Sequence, residues 1–73
     1  MYVDNLGSII RFERKCWGMS QNRLAKLSHI DNEEVMEIES GKNKNPDFFI
    51  MLNICEALQI SVFDFLKGKN MKF

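Results

Sequence analysis

The stretch from Ser20 to Gly41 constrains this chain more than any other. Ser20 is a favoured N-cap residue, set just ahead of Leu24, Ala25 and Leu27, an apolar group at helical spacing. Asp31 stands three residues before Glu34, the reciprocal pattern of a capping box, and the apolar stripe Val35 and Ile38 follows it. Gly41 then supplies the residue that most readily takes the left-handed conformation at a helix end. Two short helices with so few residues between them must turn sharply and pack across each other. That is the spacing of a helix-turn-helix, over about residues 20–40.

The same punctuation divides the rest of the chain. Asp4 or Asn5 is placed to cap a first helix whose apolar positions Leu6, Ile9, Ile10, Phe12, Cys16 and Trp17 fall three and four apart, and Gly18 ends it. Asn45 before Pro46 reads as a cap followed by the one helical position that suits proline. A fourth helix is expected through Phe48, Phe49, Met51, Leu52, Cys55 and Leu58. Ser61 with Asp64 forms a further capping-box pattern, opening a short fifth helix that Gly68 closes. Nothing alternates with period two for long enough to make a strand. The expected fold class is all-α: a compact five-helix bundle, one domain over residues 1–73, with no repeat and no linker.

Seventy-three residues, 45% of them hydrophobic, suffice for one core that buries roughly 60% of the unfolded surface. No apolar run approaches the ~20 residues of a membrane span. The opening Met1-Tyr2-Val3 lacks the charged and apolar regions of a secretory leader, so a cytoplasmic setting is expected. Cys16 and Cys55 have no paired spacing, which argues against a metal site or a disulfide framework and for reduced, buried thiols. One histidine, no Cys–His arrangement and no phosphate-cradling glycine loop leave no basis for an enzyme or a cofactor. Glu33 and Glu37, one helical turn apart, are weak evidence for a cation site.

Charge is zero in sum and strongly uneven in distribution. Residues 11–26 carry Arg11, Arg14, Lys15, Arg23 and Lys26 against the single acid Glu13. Residues 31–39 carry Asp31, Glu33, Glu34, Glu37 and Glu39 with no base.

Leu6-Gly7, Ile10, Arg14, Gly18 to Gln21, Leu24-Ala25, Ile30, Val35, Ile38-Glu39, Gly41-Lys42, Asn45-Pro46, Leu52, Ile54, Ala57-Leu58, Ile60-Ser61 and Leu66 stand in one register. With them, the chain resembles the Cro/CI-type helix-turn-helix family of lambdoid phage repressors and small bacterial regulators, from about Leu6 to Leu66. The resemblance implies a lambda-repressor-like DNA-binding domain. It also implies an ion pair between Arg14 and Glu39 that ties the first helix to the end of the third. Three features depart from the family. His29 occupies a turn position where glycine is usual and φ > 0 is required, a mild cost for any other residue. The loop Lys42 to Asn45 is one residue longer than the common form. Ile9, Phe12 and Phe63 stand where polar residues are frequent.

The implied function is that of a sequence-specific transcriptional regulator working on double-stranded DNA. The helix over residues 31–40 would enter the major groove, with Asn32, Glu33 and Glu37 at base edges and Gln21 bracing them. An asparagine suits adenine, and a carboxylate can accept from the amino group of cytosine. Ser20, Ser40, Lys42, Asn43 and Lys44, again with Gln21, would meet phosphates. Few cations face the groove, and carboxylates near a polyanion cost affinity. Weak binding per monomer is therefore expected, rescued by a homodimer on two half-sites, with Val62, Phe63 and Leu66 at the dimer interface. The alternative is a protein-binding module, antagonist or adaptor of another regulator, that kept the fold and lost DNA binding through its acidic third helix and offers Met36 to a protein partner.

Overall fold

The computed structural model describes residues 5–61, in which four helices follow one another: α1 (Leu6–Cys16), α2 (Gln21–Ser28), α3 (Asn32–Ser40) and α4 (Phe48–Ala57). Among the described residues there is no strand. The fifth helix expected after Ser61, and with it Val62, Phe63 and Leu66, lies outside the described residues.

Local hydrogen bonds set most of the helix boundaries. The Ser20 hydroxyl accepts from the Arg23 N–H at 3.0 Å and opens α2. At its far end His29 sits at φ 59°, and the Ile30 N–H reaches back to the Ala25 carbonyl at 3.0 Å. Asp31 and Glu34 face each other across the first turn of α3, the Asp31 N–H lying 3.5 Å from Glu34 Oε1. Gly41 ends that helix at φ 86°, a conformation that disfavours any residue with a Cβ.

Two caps differ from the sequence expectation. Asn5 holds the N-cap position of α1 in a left-handed conformation and makes no side-chain capping bond. The cap of α4 is Asp47 rather than Asn45: Asp47 Oδ1 accepts from the Phe49 N–H at 2.8 Å. Asn45 instead gives its own N–H to the Asn43 side chain at 3.0 Å, and Pro46 is buried one residue ahead of the cap. The Asn43 side chain thus closes a turn over Asn45, and the helix starts two positions later than expected.

α2 is the middle layer, packed on both α3 and α4, while α1 lies across α3. The core is Leu6, Ile10, Leu24, Ala25, Val35, Ile38, Met51, Ile54, Cys55 and Leu58. On α1 the residues Leu6, Gly7, Ile10 and Arg14 point inward, and Gly7 is what allows the close approach: a Cβ there would overlap the backbone carbonyls of Ile38 and Glu39.

Several of the apolar residues read along the helices lie outside the core. Phe12 falls almost opposite the buried face of α1 and is 65% exposed, and Cys16 is exposed rather than buried. Trp17 caps the end of α1, half exposed, with its indole N–H donated to the Leu58 carbonyl at 2.9 Å. Leu27 lies on the flank of α2, because Leu24, Ala25 and Ser28 take its inner face. On α4 the inward set is Met51, Ile54 and Cys55, joined by Leu58 just past its end, which turns Phe49 outward at 72% exposure and leaves Phe48 and Leu52 partly exposed. A helix apolar on nearly every side gives periodicity no single face to choose.

Candidate functional site

Glu39 anchors the helix-turn-helix from beneath. Arg14 reaches it from α1 with two nitrogens, Nε to Oε2 at 2.6 Å and Nη2 to Oε1 at 3.0 Å, and spends a third on the Met19 carbonyl at 2.7 Å. Gln21, the first residue of α2, adds its amide nitrogen to Oε1 at 3.1 Å. Arg11, one turn before Arg14, brings its guanidinium to 3.6 Å from the same oxygen. Burial pushes the Glu39 carboxyl up, but the hydrogen bonds from Arg14 and Gln21 and the charges of Arg14 and Arg11 outweigh it, and the group ends below its ordinary value. Donating to the Glu39 carboxylate correspondingly raises the pKa of Arg14. One carboxylate therefore joins α1, α2 and the last turn of α3. Arg11 was not singled out in the sequence; its spacing three residues from Arg14, on one side of α1, is the signal that would have found it.

That network bears on the acidity of α3. Glu39 leaves the surface. The Asp31 and Glu34 carboxylates each accept from the other residue's backbone N–H in the capping box, at the helix N-terminus where negative charge complements the dipole. Glu37 lies 3.9 Å from the Lys42 ammonium, an exposed pair worth at most about 1 kcal/mol. Among the described residues Glu33 is then the acid of α3 that is exposed with no partner. Five acids by count reduce to far less uncompensated charge by geometry.

The residues named from sequence fall into two groups. Asn32, Glu33, Glu37 and Ser40 lie on the outer side of α3, where Glu33, Met36, Glu37, Ser40 and Lys42 line a shallow recess. Asn32 turns its amide nitrogen onto the Met36 sulfur at 3.4 Å. Ser20 is exposed at the start of α2, whereas Gln21 is half-buried with its amide nitrogen directed inward to Glu39. Beyond α3, Ser40 Oγ donates to the Glu37 carbonyl at 3.2 Å and accepts from the Lys42 N–H at 3.4 Å. The Asn43 N–H meets the Glu37 carbonyl at 3.0 Å, so its backbone is tied down close to the helix end. Lys44 sits on the other side of Ser40, lining a second recess with Asn5, Leu6 and Gly7. Lys42 and Lys44 thus flank the C-terminal end of α3.

His29 is an exposed turn residue. Cys55 is held apart from chemistry: burial pushes its thiol up to about 11, so it stays protonated near neutral pH. Among the described residues no group of His, Cys, Asp and Glu could hold a metal ion, and no helix is long and apolar enough to cross a membrane.

Comparison with known proteins agrees with the helix-turn-helix arrangement. The profile of the Cro/C1-type HTH DNA-binding domain matches residues 16–69. Among solved structures, the chain is similar to the clp gene regulator ClgR from Corynebacterium glutamicum, with a TM-score of 0.82 and 27% sequence identity over 92% of this chain and 70% of that one. No curated protein sequence matches the chain.

Proposed function

Because the chain belongs to the Cro/C1-type helix-turn-helix DNA-binding domain family, we propose that it is a sequence-specific regulator of transcription that reads the major groove with α3. The observation that carries this reading is the local compensation of the acids on α3. With Glu39 buried, Glu37 beside Lys42, and Asp31 with Glu34 at the helix start, the helix approaches a polyanion with Glu33 as its chief liability. Asn32, Glu33 and Glu37 are the base readers, Glu33 and Glu37 accepting from the amino group of cytosine. Ser20, Ser40, Lys42, Asn43 and Lys44 hold the phosphates, and Gln21 braces the reading helix through Glu39.

Two lysines beside the groove give few phosphate contacts, so affinity per copy is low and a homodimer on two half-sites roughly one helical turn apart supplies the rest. The dimer contact falls to Val62, Phe63 and Leu66, on the fifth helix expected after Ser61. Sedimentation of the wild type and Phe63→Glu with and without DNA tests it, and a wild type monomeric in both conditions contradicts it.

A salt titration of binding to mixed genomic fragments tests the function itself. A shallow but definite loss of affinity with rising salt is expected, since the slope counts the phosphates engaged. Glu33→Ala and Glu37→Ala should each relax preference at one base pair, roughly 1–3 kcal/mol of discrimination. Gln variants that instead strengthen binding to every sequence equally would mean the carboxylates only repel phosphate. No binding at low salt would leave the protein-partner reading in its place.

A further inference from the structure

Met36 is the apolar residue of α3 that the core does not use. Val35 and Ile38 are buried beside it, while Met36 is 48% exposed on the outer side of the helix. It shares a recess with Glu33, Glu37, Ser40 and Lys42, and it is the one apolar member of that set. Asn32, one turn earlier, rests its amide nitrogen 3.4 Å from the Met36 sulfur, so the two side chains stand together as a unit.

The major-groove edge of an A·T pair offers a matching row. Adenine presents N7 and the N6 amino group, and thymine presents O4 and its 5-methyl group, the apolar feature of the groove floor. On DNA the Asn32 amide exchanges the sulfur for the base, Oδ1 accepting from N6 and Nδ2 donating to N7, and the released thioether one helical turn away falls at the methyl end of that row. A flexible, polarisable thioether is well suited to packing on a methyl group. The neighbouring carboxylates accept hydrogen bonds and have nothing to gain from a methyl group, so the apolar contact falls to Met36.

We propose that Asn32 and Met36 read one A·T pair together, Asn32 at the adenine edge and Met36 on the thymine 5-methyl group, which makes Met36 a specificity-determining residue. This rests on the DNA-binding reading above.

The test begins with duplexes selected by the wild type from a random-sequence pool at low salt, then remade with uracil in place of thymine. Burial of one methyl group corresponds to roughly a fourfold change in affinity, so the wild type should bind the uracil duplex about fourfold more weakly per contacted half-site. Met36→Ala should bind both duplexes alike, and Met36→Leu should restore the penalty. Asn32→Ala should lose adenine preference at the same base pair. Thermal melts of the variants check that all are folded. A uracil penalty of equal size in wild type and Met36→Ala, or no penalty in the wild type, overturns the assignment while leaving DNA binding intact. A wild type that enriches no duplex overturns the DNA-binding reading and this inference with it.

Discussion

Arg14 and Glu39, 25 residues apart in sequence, meet through two parallel hydrogen bonds of 2.6 and 3.0 Å, and the Glu39 side chain has no exposed surface. A bidentate guanidinium–carboxylate contact is the strongest form of such a pair. Removing one partner leaves the other charge buried without compensation, a loss of roughly 3–5 kcal/mol. Glu39→Gln and Arg14→Met should each lower the melting midpoint steeply. In Glu39→Gln, α2 should also be less well held, since Gln21 loses its charged acceptor. Unchanged midpoints in both variants would show the pair to be energetically idle.

The same carboxyl makes stability depend on acid. Its folded-state pKa lies below the ordinary value of 4.5, so the folded protein binds fewer protons than the unfolded one in that range. Its contribution is therefore complete above about 4.5 and is lost as pH falls through the lower folded value. Denaturant titrations between neutral and acid pH should show stability falling below that point, and Glu39→Gln should flatten the fall. An identical acid profile in the variant would assign the effect to other carboxyls.

Gly7 is the second residue of α1, where helix propensity alone favours alanine, by less than the about 1 kcal/mol of a helix interior. Packing reverses that preference, because the added Cβ would overlap backbone carbonyls of Ile38 and Glu39, which cannot swing aside as a side chain could. Gly7→Ala should destabilise by roughly 1–3 kcal/mol by forcing α1 away from α3. A rise in melting midpoint would show that α1 and α3 approach less closely.

Ser28 is fully buried on α2, and among the described residues its hydroxyl has no hydrogen-bond partner. A buried hydroxyl left unpaired costs about 1–3 kcal/mol, and alanine is also the better helix former. Ser28→Ala should raise stability by roughly 1–2 kcal/mol, several degrees of melting midpoint for a domain of this size. A lower midpoint would reveal a partner for the hydroxyl.

The two thiols should separate on labelling. Cys16 is exposed at the end of α1, whereas Cys55 is buried with its thiol pushed up to about 11. A maleimide-type or disulfide reagent at neutral pH should modify Cys16 promptly and Cys55 only at the rate of unfolding, since the thiolate is the reactive form. Equal rates for both would place Cys55 at the surface.

The helical class and most helix ends were legible in the order of residues, because those depend on bonds that reach only three or four residues. Ser20, the Asp31 and Glu34 pair, His29 at positive φ and Gly41 act within single turns, so their spacing is visible in the order of residues. Where two local signals compete, order alone does not decide. Asn45 and Asp47 are both capping residues, and the turn closed by Asn43 leaves the second to start α4. The choice of buried face is likewise tertiary: α1 and α4 carry more apolar residues than one face holds. Contact with the neighbouring helices sends Ile10 and Met51 inward and Phe12 and Phe49 outward. The acidity of α3 shows the widest gap between sequence and structure. Glu33, Glu37 and Glu39 are alike as letters. Only the arrival of Arg14 and Arg11 from α1, Gln21 from α2 and Lys42 from the following loop makes one a buried anchor, one a paired surface group and one an open carboxylate. Charge is counted along the chain, but its compensation is set by distances across it.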